Sequence, residues 1–588
     1  MMVRTLLIVV SWLVLACVAG AAPVPAWVAE SDGYAQIALA VFARYDPEDA
    51  GQLGVEGVDR EITDLKPDLH ARFVADKMKA AATLRARLDA VTDPRVRQDV
   101  EIMIKAEDDA VETARLRRRL LLELIDVAQL EYNGIRVLLD PRLPKDRQAA
   151  AVERLRRYAG LAPGTVPLAR LAIDRTEERF ANPGLTGPDV SEVTKALDDS
   201  KRYVDGIREL FRASGLDGWQ EPLAAIELQV RDYDDWVRVH VLPRCRSTRR
   251  LPPEIYADNL KQLGVDVAPD VLIAQAQFSF AEIQNQLRSL AGEIARQRKL
   301  RSTDYRDVLR EVKKSQLVGD AIMPLYRRRL AEVEAIIERE RIVTLPKRKA
   351  SIRIATAAET AQTPAPHMDA PRLLGNSGEY GEFVLPLNLP EAGKDRSLAF
   401  DDATSDAASW TFIAHEVRPG HELQFLSMVE NGVSIARAVY AQNSVNTEGW
   451  ALYAEAELQP YEPLEGQLMA LQWRLARAAR AFLDPMLNLG LIAPERAAAL
   501  LTDDVVISSA MVKQEIDRYT FWAPGQATSY YYGYLAFMQL RTQAELALGA
   551  RFDRRKFNDF VLQQGFLPPA LMKKAVETDF IARERAGS

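Results

Sequence analysis

"HEVRPGH", residues 415–421, sets two histidines and a glutamate around a Pro-Gly pair. In the common zinc-protease pattern H-E-x-x-H, histidines four apart on one helix converge on a metal. Here they are six apart, which puts them roughly 120° apart around an ideal helix at about 100° per residue. On a straight helix they could not share an ion. Pro419 removes the difficulty. A proline inside a helix has no N–H to donate, and its ring clashes with the carbonyl four residues back, which here belongs to His415. The helix must kink or bulge within the window, and Gly420 permits backbone angles that other residues avoid. Such a break allows His421 to come round to face His415. The bland alternative is a pair of polar residues capping adjacent helices.

Two histidines leave a catalytic zinc one protein ligand short, because such sites usually take three plus a water. The candidate third ligand is Glu448 in "NTEGWALYAEAEL" (446–458), 27 residues beyond His421, which leaves room for a helix, a turn and a return helix. Asn446 or Thr447 is read as the cap of that helix, with Glu448 in its first turn. Glu455, two turns further along the same face, is placed to orient a ligating histidine from behind. Glu416 adjoins a ligand but points to a different side of it, which suits a general base acting on a metal-activated water. The expected cofactor is one zinc ion per chain; manganese or cobalt would accept the same donors.

A donor for the developing oxyanion is the remaining need. "QEIDRYTFWAPGQATSYYYGY" (514–534) is dense in such groups: Arg518, Tyr519, Gln526, Tyr530, Tyr531 and Tyr532. Arg518 is also read as a partner for a substrate carboxylate. The competing readings are ordinary packing for the tyrosines and a surface ion pair for the arginine.

Outward from these motifs the chain reads as mainly α. From about residue 27 to 345 helical spacing prevails, with Tyr203, Ile207, Leu210 and Phe211 on one stripe and Ile283, Leu287, Leu290 and Ile294 on another. "ASIRIATA" and "EYGEFVLPLNLP", between about 350 and 400, read as a small antiparallel β-sheet beside the metal helix. His367, in "TPAPHMDAP", is read as a loop residue, and His70 and His240 as structural. The organisation expected is a leader over 1–21, a helical region over 22–345 forming one wall of a groove, and a metal-binding catalytic region over 346–588.

The 588 residues, 48% hydrophobic and 27% charged, are those of a globular chain with ample core. A formal net charge of −7 argues against nucleic acid as the main partner, and the basic run "RCRSTRR" (244–250) is read as a solvated loop. "MMVR" followed by "TLLIVVSWLVLA" reads as a secretion signal with cleavage after Ala21. A competing reading makes "VLAC" a lipobox with a lipid on Cys17, so the membrane enters only through that anchor. The product is expected in the periplasm or outside the cell. Only two cysteines exist; with Cys17 removed or acylated, Cys245 has no disulfide partner and is read as an inert thiol.

"HEVRPGHELQF", "EGWALYAE" and "PGQATSYYYGY", in that order, resemble the DUF885 family of bacterial zincin-like proteins, in which H-E-x-x-P-G-H is the hallmark. The resemblance implies a multi-helix zincin-like architecture with a deep groove, similar to the thimet-oligopeptidase and carboxypeptidase Taq class. It further implies zinc on His415, His421 and Glu448, Glu416 as base and Tyr530 near the substrate. Two departures stand out. Many members carry a histidine where this chain has Glu422, and another where it has Asn488, in a helix that keeps Asp484. The function expected is an exported zinc metallopeptidase acting on oligopeptides. The alternatives are a metal-dependent amidase for a non-peptide or cell-wall amide, and a non-catalytic helical binding protein.

Overall fold

Helices carry most of the chain in the computed structural model, which describes residues 25–246, 248–317, 319–363, 365–386 and 402–587. The leader and Cys17 lie outside the described residues, as does the end of the "EYGEFVLPLNLP" stretch from 387 on.

Local chemistry sets the helix bounds. Asp93 caps the Pro94–Leu120 helix by accepting from the Arg95 amide, with Pro94 in the first turn, where its missing N–H costs nothing. Asp189 and Glu192 form a reciprocal capping box that starts Val190–Ser214, and Gly215 ends it in the left-handed region. The stripes read from sequence face inward: Tyr203, Ile207 and Phe211 are buried in one core, and Ile283, Leu287 and Ile294 in another.

The largest core draws on Ile102 and on residues from Tyr256 to Ile581, and encloses Ile413, Ala414 and Val417, the neighbours of His415. In it the Pro269–Arg298 helix lies along Leu464–Asn488, and Ser444–Leu458 lies along Gln526–Leu548. The second pair crosses at two glycines. A Cβ on Gly449 would stand 2.5 Å from Gly533 Cα, and one on Gly533 would stand 2.1 Å from the Val445 carbonyl oxygen. Only backbones fit there, so the helix bearing Glu448 meets the helix bearing Gln526 and Tyr530 at the shortest possible range.

The sheet differs from expectation. It has three strands, β1 (Ser351–Ile354), β2 (His367–Asp369) and β3 (Glu382–Leu385), in the order β1-β3-β2. β3 pairs antiparallel with β2 but parallel with β1, so the sheet is mixed rather than antiparallel. The chain between β1 and β3 is long enough for a helix (Ala357–Gln362) and a return strand, which is what a parallel connection needs. That return strand contains His367, which is therefore not a loop residue. β2 and β3 pack against residues 413–417 and so back His415.

Candidate metal centre

The Asp406–Phe412 helix, capped by Ser405, widens into one π-turn over Ile413–Val417 and stops. A new helix starts at His421. The break is complete, not a kink. It leaves Gly420 hard against the end of the first helix, where a Cβ would lie 1.8 Å from the His415 carbonyl oxygen. Trp450 Nε1 donates to the Pro419 carbonyl at 3.0 Å and ties the break to the Ser444–Leu458 helix. The His415 and His421 rings consequently stand 4.8 Å apart, edge to face.

Glu448 completes the group. Its Oε2 lies 3.3 Å from His421 Nε2 and 3.5 Å from His415 Nε2, and the three donor atoms fall within 4.8 Å of one another. That buried oxygen accepts no well-formed hydrogen bond from either ring. Two imidazole nitrogens and a carboxylate oxygen facing one point are a donor set that suits zinc. Glu448 sits in the second turn of its helix, not the first, because the cap is Asn443, whose side chain accepts from the Asn446 amide. Asn446 instead links helices, accepting from Gln424 and donating to the Leu567 carbonyl.

Behind the ligands, Glu455 Oε1 is 2.7 Å from His415 Nδ1. A carboxylate accepts only from Nδ1–H, so it is Nε2 that faces Glu448 and would offer its lone pair to a bound ion. Thr411 donates to the other Glu455 oxygen at 2.9 Å, and Arg477 stands 3.4 Å away. Burial opposes charge on Glu455, but Arg477 and the bond from His415 outweigh it and hold the carboxyl below its usual range. Burial likewise opposes charge on His415, yet Glu448, Glu455 and Glu416 raise its imidazole to about 9. Glu448, pushed up by burial, is pulled well below the carboxylate range by the two histidines. The field of the site favours a cation. Glu416, in the same π-turn, brings Oε1 to 4.0 Å from His415 Nε2.

The 514–534 segment divides. Gln526 donates to Glu448 Oε1 at 3.2 Å, so it holds that carboxylate where a substrate contact was expected. The Tyr530 ring lies parallel to His415 at 6.1 Å, and its hydroxyl accepts from Arg518 at 3.1 Å. Burial, then the charge of Glu448, raises the Tyr530 phenol, which keeps its proton. Tyr519, expected at the substrate, is enclosed and donates to Glu515 at 2.7 Å. Tyr531 packs into the core against Tyr534, and Tyr532 turns outward to Asp266. A tyrosine-rich helix has a full circumference of neighbours, and only the face carrying Tyr530 meets the histidines.

Arg477 and Arg480 were not singled out in the sequence. They lie three apart in "WRLARAARAFLD", one helical face, and sequence reads such a stripe as solvated. Both are buried beside Tyr530, with Arg480 4.6 Å over its ring. The two departures from the family pattern are structural. Glu422 is fully buried and pairs with Arg418 at 2.9 Å. Asn488 donates to Asp484 and to the Tyr519 carbonyl, and Asp484 accepts from the Gly525 amide at 2.9 Å. Together they clamp the turn from which the Gln526–Leu548 helix starts.

That turn also borders a cavity of about 380 Å³, walled by Leu121, Leu251, Ile255, Leu263, Trp522 and Gln526 among others. Arg246 is not a solvated residue of a basic loop. Its guanidinium reaches across from the first half of the chain to the Thr520 carbonyl at 2.6 Å. Burial pushes the Cys245 thiol up to about 11.

A family model described as "Bacterial protein of unknown function (DUF885)" matches residues 47–576, and the chain belongs to that family. The crystal structure of a protein described as a "putative lipoprotein" from Colwellia psychrerythraea is similar with a TM-score of 0.77 at 19% identity, over 95% of this chain and 99% of that one. A second, a "putative lipoprotein of unknown function" from Shewanella oneidensis, gives 0.70 at 17% identity, over 94% and 100%. At these identities the likeness establishes the fold. No curated protein matches the chain.

Proposed function

We propose that this member of the DUF885 family is an exported zinc metallopeptidase that hydrolyses peptide bonds of oligopeptides. The reading is carried by one observation: His415, His421 and Glu448 bring three donor atoms within 4.8 Å, with the carboxylate of Glu416 beside them. The zincin-like architecture and groove implied by the resemblance belong to this reading. So does export, which agrees with the description of both similar structures as lipoproteins. Among the described residues no helix is long and apolar enough to cross a membrane.

Zinc, held by His415, His421 and Glu448, would supply Lewis-acid polarisation of the scissile carbonyl and a more acidic water. The chain's own groups do the rest. Glu455 fixes His415 in orientation and tautomer, and Gln526 holds Glu448. Glu416 takes a proton from the attacking water and returns it to the departing nitrogen. Tyr530 keeps its phenolic proton, and because Arg518 donates to its oxygen, that proton is free for the oxyanion. A cavity lined by both polar and apolar side chains lies beside Gln526, the residue that holds Glu448.

Incubation of the protein from Ala22 onward with zinc and a mixed peptide library, with products read by mass spectrometry, tests this. Wild type should cut peptides while holding one zinc per chain. Glu416→Gln should keep the metal and lose about 10²–10⁴-fold in rate, the usual contribution of a general base. Equal products from both proteins would sink Glu416 as the base. Zinc bound with no peptide cut would sink the peptidase reading.

A further inference from the structure

Three guanidiniums surround the Tyr530 ring, those of Arg477, Arg480 and Arg518. Two have a carboxylate each. Arg480 binds Glu515 through two bonds of 2.7 Å, and Arg477 faces Glu455 at 3.4 Å. Arg518 has none within hydrogen-bond distance. Glu515 Oε1 stands 3.9 Å from its Nε, and Glu515 is already committed to Arg480 and to the Tyr519 hydroxyl. What Arg518 does touch is neutral, Tyr530 Oη at 3.1 Å and Gln526 Oε1 at 3.2 Å. Its Nε is buried and without a partner, and the residue is 6% exposed.

A buried cation without its own anion is costly, and such a charge is retained where a ligand completes it. The place of this one is specific. Gln526 bridges it to Glu448, and the Tyr530 ring whose hydroxyl it bonds lies parallel to that of His415 at 6.1 Å. A planar guanidinium with an unpaired N–H is the side chain best suited to a carboxylate. The interior of a peptide backbone carries no charge to match it; the carboxyl end does.

We infer that the enzyme works from the carboxyl end of its substrate. Arg518 receives the terminal carboxylate, and residues are removed one at a time. This rests on the metallopeptidase reading above. Water adds across the last amide: its oxygen joins the carbonyl carbon, the C–N bond breaks, and a proton passes by way of Glu416 to the departing nitrogen. One free amino acid leaves, with a peptide one residue shorter.

The test uses the zinc-loaded protein and two peptides without Asp or Glu, identical except that one ends in a carboxylate and the other in an amide. The acid should be shortened stepwise, and kcat/KM for the amide should be at least about 100-fold lower. Arg518→Met should cost at least about 30-fold more in kcat/KM on the acid than on the amide, since the loss of its bond to Tyr530 is common to both substrates. Calorimetry on Glu416→Gln, which holds peptide uncut, should show the acid bound at least tenfold tighter than the amide, a ratio that collapses when Arg518→Met is added. Equal rates or internal cuts on both peptides would overturn this inference and leave the peptidase standing. So would preferential cleavage of an amidated peptide at an internal glutamate. Zinc bound with neither peptide cut would overturn both.

Discussion

A methyl group at position 420 would sit 1.8 Å from the carbonyl oxygen of His415 and 2.4 Å from that of Ala414. Both contacts are backbone, so no rotamer relieves them. Gly420→Ala should push the start of the second helix away from the end of the first and part His421 from His415. Zinc affinity, measured by chelator competition, should fall by at least tenfold, and an unchanged affinity would show that this backbone yields. Glu455→Gln acts from behind: it keeps the shape but removes the charge opposite His415 and Arg477. Substitutions behind a metal ligand typically cost about 10–100-fold in metal affinity, and that range is expected here. At this scale much was legible. Proline chemistry in "HEVRPGH" foretells a break, and the spacing to Glu448 and Glu455 foretells their faces. What was not legible is which of several like residues turns inward. Tyr519, Tyr530 and Tyr531 carry the same local signal, and only the packing of the Arg518–Trp522 turn and of the Gln526–Leu548 helix separates them.

Elements hold those side chains by contacts that sequence does not announce. The Gly449–Gly533 crossing reads as two unremarkable helix glycines until the second helix is known. The mixed sheet hides in the same way, because strand direction depends on a connection that passes through a strand of three residues. The clamp at the start of the Gln526–Leu548 helix gives a test of its own. Asp484 accepts from Tyr256, Gly525 and Asn488, yet burial outweighs these bonds and lifts its carboxyl to about 8. A group raised in the folded state binds its proton more tightly there than in the unfolded chain. Its contribution to stability is therefore complete below about pH 4 and is lost as pH rises through about 8. The wild type's unfolding free energy from urea melts should fall across that window relative to Asp484→Asn by more than about 1.4 kcal/mol, the equivalent of a single pKa unit. Parallel pH profiles for the two proteins would mean that Asp484 is ionised in the fold.

The whole molecule is joined by a few long-range polar contacts between its early and late helices. Arg246 reaches Thr520, and Asn259 reaches the Pro524 carbonyl at 3.1 Å, so the turn beside Arg518 is held from the first half of the chain. A second junction centres on Asp99, which is fully buried in the Pro94–Leu120 helix. It accepts from Ser31, Ser434 and Arg437 at 2.8, 2.6 and 2.9 Å. Arg437 in turn donates to Gln98 and Gln564, so one ion pair gathers four distant parts of the sequence. Helical periodicity predicts each helix but not this partnership, since a lone Asp and a lone Arg 338 residues apart have no shared pattern. Asp99→Ala strands a buried guanidinium, a change that costs about 3–5 kcal/mol. Adding Arg437→Met removes the stranded charge and should recover most of that loss, because a buried pair is worth little more than an apolar replacement of like volume. Urea unfolding of the two variants measures both steps. Zinc stoichiometry should stay at the wild-type value in each, since neither residue touches the histidines. A double variant no more stable than Asp99→Ala would show that the lost carboxylate mattered for its bonds to Ser31 and Ser434, and that the junction is held by hydroxyls instead of charge.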